Sequence, residues 1–197
     1  MSGLRKAELV ERLCAYLTQQ RCTIDKAELG GNAGDLPCRL DVTFPSGSQR
    51  RYNLYCWTMG HGGRSRSALE YRIQVKLGKG RQIKFKDATS VLLGYYDVEQ
   101  DHVGQEMGNR PASDMRIITA WDPVRHIEVG VSSSCQITFP VLQQAYLVGA
   151  DSKVRRCADG ELETALAFRP EYLARYLYLI SSGHEKVGPA KLLDFSF

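Results

Sequence analysis

The chain has 197 residues, 43% of them hydrophobic and 24% charged, with a formal net charge of +4 and an isoelectric point near 8.7. That length supports one good-sized core, and the mild charge permits an anionic partner without demanding one. No stretch reaches the roughly 18 apolar residues of a membrane span, and MSGLRKAELVERL carries charges where a signal peptide needs an apolar run. A cytoplasmic protein with reduced thiols and no membrane partner is expected. Six cysteines without a CxxC pair and four histidines without HxxxH or CxxH spacing argue against a structural zinc site. Cys56 and Cys135 are then expected as buried strand residues.

From Leu4 to Gln20, apolar groups at Leu9, Leu13, Tyr16 and Leu17 recur at helical spacing and predict an amphipathic helix. The segment 22–34 ends in Gly30, Gly31, Asn32 and Gly34 and reads as a loop with one short helical turn. Residues 39–44 alternate Leu40, Val42 and Phe44 against Arg39, Asp41 and Thr43. PSGS follows as a turn, so a hairpin into the next strand is expected.

The stretch Tyr52 to Lys76 reads as two strands joined by a glycine-rich basic loop. Strand side chains alternate, so Tyr52, Leu54, Cys56 and Thr58 share one face while Asn53, Tyr55, Trp57 and Met59 share the other. In the second strand Tyr71, Ile73 and Val75 form an apolar face, which sends Glu70, Arg72, Gln74 and Lys76 together to the opposite side. Glu70 is expected to pair with Arg72 and leave Gln74 free to donate and accept. In the loop, Gly60, Gly62 and Gly63 permit positive φ and close approach of a ligand, while His61, Arg64 and Arg66 supply donors and charge.

Arg81 to Lys86 alternates cationic and apolar residues and is expected as a strand. Ser90 to Tyr96 reads as a buried strand, and the polar stretch Asp97 to Asp114 as a long, mobile excursion. MRIITAWD predicts a strand ending at Asp122 and Pro123, and HIEVGVSSSCQITF predicts another alternating pair. A short helix follows over Leu142 to Val148, closed by Gly149. ELETALAF fits both periods, but its continuation into Arg169 and Pro170 favours a strand. Pro170 opens a helix that Gly183 ends. The tail, apolar at Leu192, Leu193, Phe195 and Phe197, is expected to dock on the body or on a partner. The whole predicts one α+β domain over 1–197: a helix at 1–20, a curved, mainly antiparallel sheet of six to eight strands over 36–168, a helix at 170–182 and a tail at 183–197.

Three constellations could carry chemistry. Arg64, Arg66, Arg72, Lys76, Lys79, Arg81, Lys84 and Lys86 fall in one short span with little acid to offset them, a phosphate footprint. Trp57 and Tyr55 offer stacking surfaces, and His61, Gln74 and Arg125 can add contacts. A solvated basic edge strand is the plainer alternative. Second, Asp41, Glu70, Gln74 and Lys76 can be cast as a Mg²⁺-dependent nuclease centre of the PD-(D/E)XK type, the Gln74-to-Lys76 step resembling the Q-x-K variant of Mrr-like nucleases. Third, Trp121, Asp122, Arg125 and His126 with Ser132, Ser133, Ser134 and Gln136 invite a hydrolase reading, although no G-x-S-x-G elbow is present.

The string LYCWTMGHGGRSRSALEYRIQ, with LPCRLDV before it and VLLGYYD, IITAWDPVRH, SSSCQI and ALAFRPEYLARYL after it, resembles a bacterial methylase-associated domain. Such domains are found beside DNA methylases and in restriction-type defence proteins, sometimes ahead of an HNH nuclease domain. The resemblance spans residues 36–178, and its specific part is the central string. It implies a restriction-modification or phage-defence setting with a methylase, helicase or nuclease subunit as partner. The function expected is recognition of double-stranded DNA, with modified DNA within its scope and no cofactor needed for binding. The alternatives are the Mg²⁺ endonuclease and a protein-interaction or small-ligand sensor module.

Overall fold

A computed structural model describes residues 4–29, 37–63, 65–76, 87–127, 132–157, 160–184 and 186–197. The N-terminal periodicity produces helix α1 (Lys6–Gln19), which buries Leu9, Val10, Leu13 and Leu17. The Glu8 carboxylate accepts from the Arg5 backbone N–H at 2.9 Å and so satisfies a donor the helix start would leave open. The loop expected next is instead strand β1 (Thr23–Leu29), paired antiparallel with β2 (Cys38–Thr43). β1 is an edge strand exposed on nearly every residue, so it lacks the apolar alternation that announces a strand.

β2 turns through residues 45–48, with Gly47 at φ 79°, into β3 (Gln49–Thr58), the expected hairpin. The following segment carries β4 (Gly60–His61) and β5 (Glu70–Lys76), then returns as β6 (Thr89–Asp97), which lies parallel to β3. The strand expected at Arg81–Lys86 lies outside the described residues. Beyond β6 come the short helix α2 (His102–Glu106), β7 (Arg116–Trp121), α3 (Pro123–His126), β8 (Ser132–Thr138) and α4 (Phe139–Val148). The chain closes with β9 (Ala150–Arg156), β10 (Leu162–Phe168), α5 (Leu173–Ser181) and α6 (Pro189–Asp194). Gly149, at φ 101°, ends α4 as its C-terminal glycine should.

The strands form two sheets rather than one. The larger runs β1-β2-β3-β6-β7-β10-β9 and is antiparallel except at β3–β6, and the smaller is β4-β5-β8. The α+β class with helices at both ends therefore holds. Alternation divides the core as it should: Tyr52, Leu54 and Cys56 join the cluster under α1 and α5, while Tyr55, with Trp57 and Met59, joins the cluster under the small sheet and α4. The large sheet is thus a middle layer with helices on one face and the small sheet on the other. The tail docks on the body. Leu192 is fully buried, and Phe195 and Phe197 pack on Tyr178 and Phe44 at centroid distances of 5.3 to 5.7 Å.

The stretch 97–114, expected as a mobile excursion, is pinned down. Asp101 is 6% exposed, and its carboxyl accepts from Tyr71 Oη at 2.5 Å, Tyr96 Oη at 2.8 Å and the Gly104 backbone N–H at 3.0 Å. Asn109 Nδ2 donates to Tyr71 Oη at 2.9 Å and to the Ala68 carbonyl at 2.6 Å. Burial, and then the Asp101 carboxyl, push the Tyr71 phenol up, so it stays protonated as the donor. Polar composition misleads here because the polar groups satisfy one another inside the protein. The six cysteines are free thiols. Cys56 and Cys135 are buried strand residues as expected, and burial pushes the Cys56 thiol up to about 12.

Candidate nucleic-acid interface

The small sheet has one apolar and one polar face because β5 alternates without interruption. Tyr71, Ile73 and Val75 are 0 to 1% exposed against the large sheet, so Glu70, Arg72, Gln74 and Lys76 turn outward. The antiparallel register sets Thr138, Gln136, Ser134 and Ser132 of β8 opposite those four in turn. The result is a polar plate backed by packed apolar residues and by the Asp101 network.

Within the plate the side chains differ from the expected arrangement. Glu70 Oε1 pairs with Arg66 Nη1 at 2.9 Å, not with Arg72. The glycine loop folds back over the start of β5 through Arg66 N to Gly63 O and Gly62 N to Glu70 O bonds of 3.0 and 3.3 Å, which brings Arg66 within reach. Gly62 makes room for this turn, since a Cβ there would lie 2.6 Å from Arg66 Cδ. Gln74 is not free on both sides: its Nε2 donates to Ser132 Oγ at 2.7 Å and to the Ser133 carbonyl at 3.1 Å, clipping the amide to β8. Among the described residues its amide oxygen has no hydrogen-bond partner, and Arg72 and Lys76 have no acidic partner.

Beside the plate, His61 stands edge-on to Tyr71 at 5.5 Å and accepts from the Gly63 N–H at Nδ1, 3.1 Å. That bond puts the proton of the neutral ring on Nε2, which is buried without a partner among the described residues. Gly63 adopts φ 92°, as the turn requires. Trp57 is half-buried against the second core cluster. Tyr55 is 1% exposed, so its ring is core and not the stacking surface expected of it. Arg64, Lys79, Arg81, Lys84 and Lys86 lie outside the described residues. Arg125 sits away from the plate on α3, with carboxylates of Asp122 and Glu161 each at 3.9 Å.

The four residues cast as a nuclease centre do not converge. Asp41 lies on β2 of the large sheet, clamped by Arg39 Nη2 at 2.6 Å and Arg51 Nε at 3.1 Å. The Arg39 hydrogen bond, assisted by Arg51 against the opposing effect of partial burial, holds the Asp41 carboxyl below its usual range. Glu70 and Lys76 stand at opposite ends of β5, about 20 Å apart at the strand rise. Among the described residues no three His, Cys, Asp or Glu side chains gather as metal ligands.

One polar network escaped sequence reasoning. Glu163, 2% exposed, contacts His126 Nε2 through one carboxylate oxygen and accepts from Arg155 at 2.7 Å through the other. His126 Nδ1 lies 2.6 Å from Ser133 Oγ. Burial alone would raise the Glu163 carboxyl, but hydrogen bonds and charge from His126 and Arg155 outweigh it and hold it below its ordinary value. The serines and histidine were visible in the sequence as a suspicious group. Their partner Glu163 was hidden in ELETALAF, where neither of the two glutamates, Glu161 and Glu163, carries a signal of its own. The network ties α3, β8, β9 and β10 together behind the plate.

A two-sheet α+β protein with a rigid-backed polar plate is the class these features define. Residues 50–177 match the family model for methylase-associated X1, more than half of the chain, and the chain belongs to that family. The match begins in β3 and ends in α5, so it contains the whole small sheet and omits α1, β1, β2 and α6. No curated protein and no solved structure matches the chain. Among the described residues no helix is long and apolar enough to cross a membrane.

Proposed function

We propose that the chain is a DNA-recognition component of a bacterial restriction-modification or phage-defence system. Membership of the methylase-associated X1 family associates it with restriction-modification systems, and a methylase is the partner that association suggests. The observation that carries the DNA reading is the outer face of β5, where Arg72, Gln74 and Lys76 stand in a row on a strand whose other face is buried. Arg72 and Lys76 supply phosphate contacts whose binding weakens with salt, and the open amide oxygen of Gln74 can accept from a base edge in a groove. Because Nε2 is already clipped to β8, the direction of that oxygen is set before DNA arrives, which lowers the ordering cost of binding.

A mobility-shift assay on double-stranded DNA across a salt series tests this. Wild-type protein is expected to bind at low salt with affinity that falls steeply as salt rises, and Arg72→Ala with Lys76→Ala is expected to flatten that slope by about two counter-ions. Absence of low-salt binding, or an unchanged slope in the double variant, overturns the reading. Metal-dependent plasmid cutting abolished by Glu70→Ala would replace it with the endonuclease reading.

A further inference from the structure

Behind the plate, on the inward face of the small sheet, three side chains are joined end to end. Ser133 Oγ lies 2.6 Å from His126 Nδ1, and His126 Nε2 contacts one carboxylate oxygen of Glu163. The residue types and their order are those of a nucleophile, a general base and the acid that orients the base. The sequence offered Asp122 as the acid, but that carboxylate caps α3 by accepting from the Val124 N–H at 2.9 Å, and Glu163 of β10 takes its place.

Several features separate this chain of contacts from an ordinary buried ion pair. His126 and Glu163 are 6% and 2% exposed, whereas Ser133 is only half-buried on β8, an edge strand of the small sheet. The contacts therefore run from the interior out to a hydroxyl that a reagent can reach. Arg155, at 2.7 Å from the other carboxylate oxygen, helps keep Glu163 ionised and fixed. The proton of the neutral imidazole is then held on Nε2, which leaves the Nδ1 lone pair for Ser133. α3 packs on both β6 and β8, which places His126 between the two sheets. Trp121, in register with Leu92 of β6, faces the same layer with an indole N–H that is buried and has no hydrogen-bond partner among the described residues. A buried donor without a partner is what a developing oxyanion needs.

We propose that Ser133 is a catalytic nucleophile for acyl transfer from a carboxylic ester with a short acyl group. Ser133 Oγ attacks the ester carbonyl carbon as its proton passes to His126 Nδ1, and the carbonyl π pair moves to the oxygen, for which the Trp121 N–H is the donor available. When the C=O bond re-forms, the C–O bond to the alcohol breaks and the alcohol oxygen takes the proton from Nδ1. Water repeats both steps on the acyl-serine and releases the acid, and Glu163 stabilises the imidazolium throughout. The acyl group is short because Val75, opposite Ser133, and Cys135, next on the same face, are fully buried and close the space beside the hydroxyl. The site is independent of the DNA reading, since it uses none of the outward side chains of β5.

Treating the full chain with a fluorophosphonate, a reagent for activated serines, and locating the adduct by mass spectrometry tests this. A single adduct on Ser133 is expected, absent in urea-unfolded protein and in Ser133→Ala, and formed about a hundredfold more slowly or worse in His126→Gln. Wild type is also expected to hydrolyse p-nitrophenyl acetate about tenfold faster than p-nitrophenyl decanoate, and faster than Ser133→Ala does. Should a variant fail to fold, the comparison of folded with unfolded wild type decides by itself. No adduct, an adduct on another residue, equal labelling in urea, or a folded His126→Gln chain that labels as fast as wild type overturns the proposal. Acetate hydrolysis unaffected by Ser133→Ala, or no preference for acetate over decanoate, overturns its substrate class.

Discussion

On its helix-covered face the large sheet is closed by α1, α5 and α6 through a mainly apolar contact, in which Leu9, Leu13, Leu17, Leu173 and Leu177 are at most 1% exposed, with Arg12 of α1 pairing with the buried Asp97 at 2.7 Å and Tyr52 Oη donating to the Leu177 carbonyl at 2.9 Å. On the other face the small sheet and the 98–115 segment close it through an apolar contact threaded with buried polar groups: Asp101, Asn109, His126 and Glu163. The comparison teaches what holds each layer in place. Apolar burial is non-directional and stabilises any well-packed arrangement, whereas a buried carboxyl is tolerated only where its partners meet it at fixed geometry. Both layers are therefore positioned by directional bonds as well as by packing: the plate-bearing layer through Asp101, Asn109 and Glu163, each with several partners, and the helical layer through the Arg12–Asp97 pair and tyrosine hydroxyls.

The strongest way to break this contrast is to remove a buried charge. Glu163→Ala leaves Arg155 facing a void where its carboxylate stood and is expected to cost about 3 to 5 kcal/mol by urea unfolding. A comparable apolar truncation on the helix side, Leu177→Ala, is expected to cost about 3 kcal/mol. If the polar deletion proved the cheaper by far, the small-sheet layer would be held by packing alone. Third in size is Tyr71→Phe, which takes one donor from the Asp101 carboxyl. A loss of about 2 kcal/mol is expected, together with faster amide exchange across residues 101–109, while α1 and α5 keep their protection.

Acid sharpens the same comparison. Glu163 is held below its ordinary value of 4.5 in the folded protein, so the unfolded chain takes up its proton first as pH falls. Its contribution is fully present above about pH 4.5 and is lost as pH drops through the lower folded value. The stability gap between wild type and Glu163→Gln should accordingly narrow on acidification, and a gap that widened would contradict the pairing. The smallest stability effect belongs to Gln74→Ala on the plate, where an exposed hydrogen bond to β8 is worth about 1 kcal/mol or less. Thermal melting is expected to stay nearly unchanged while sequence discrimination in the shift assay relaxes. Equal loss of stability and binding would show that this face is structure and not recognition surface.

Much of this was legible in the residues themselves. The helical stripe of Leu9, Leu13 and Leu17, the proline at the start of the 170–181 helical run, Gly149 closing α4 and the alternation of β5 are local patterns, and local patterns survive folding because the backbone imposes periods of 3.6 and 2 on side chains wherever it goes. The two faces of β3 were equally plain, and both proved buried. Edge strands were the harder case. β1 and β9 lack a consistently buried face, so Thr23–Leu29 read as a loop and Ala150–Arg156 carried no alternation to announce it.

What tertiary structure alone decided was which groups meet. The parallel pairing of β3 with β6 split the expected single sheet into two, a choice made by contacts between residues such as Tyr52 and Thr89 that no local pattern encodes. Glu70 found Arg66 through the fold of the glycine loop, not Arg72 through the strand. Glu163 met His126 across 37 residues, and Asp101 met Tyr71 across 30. Side-chain type and period fix which face of an element a residue occupies, but a hydrogen bond needs two atoms within about 3 Å, and for groups distant in sequence only the packing of whole layers sets that distance.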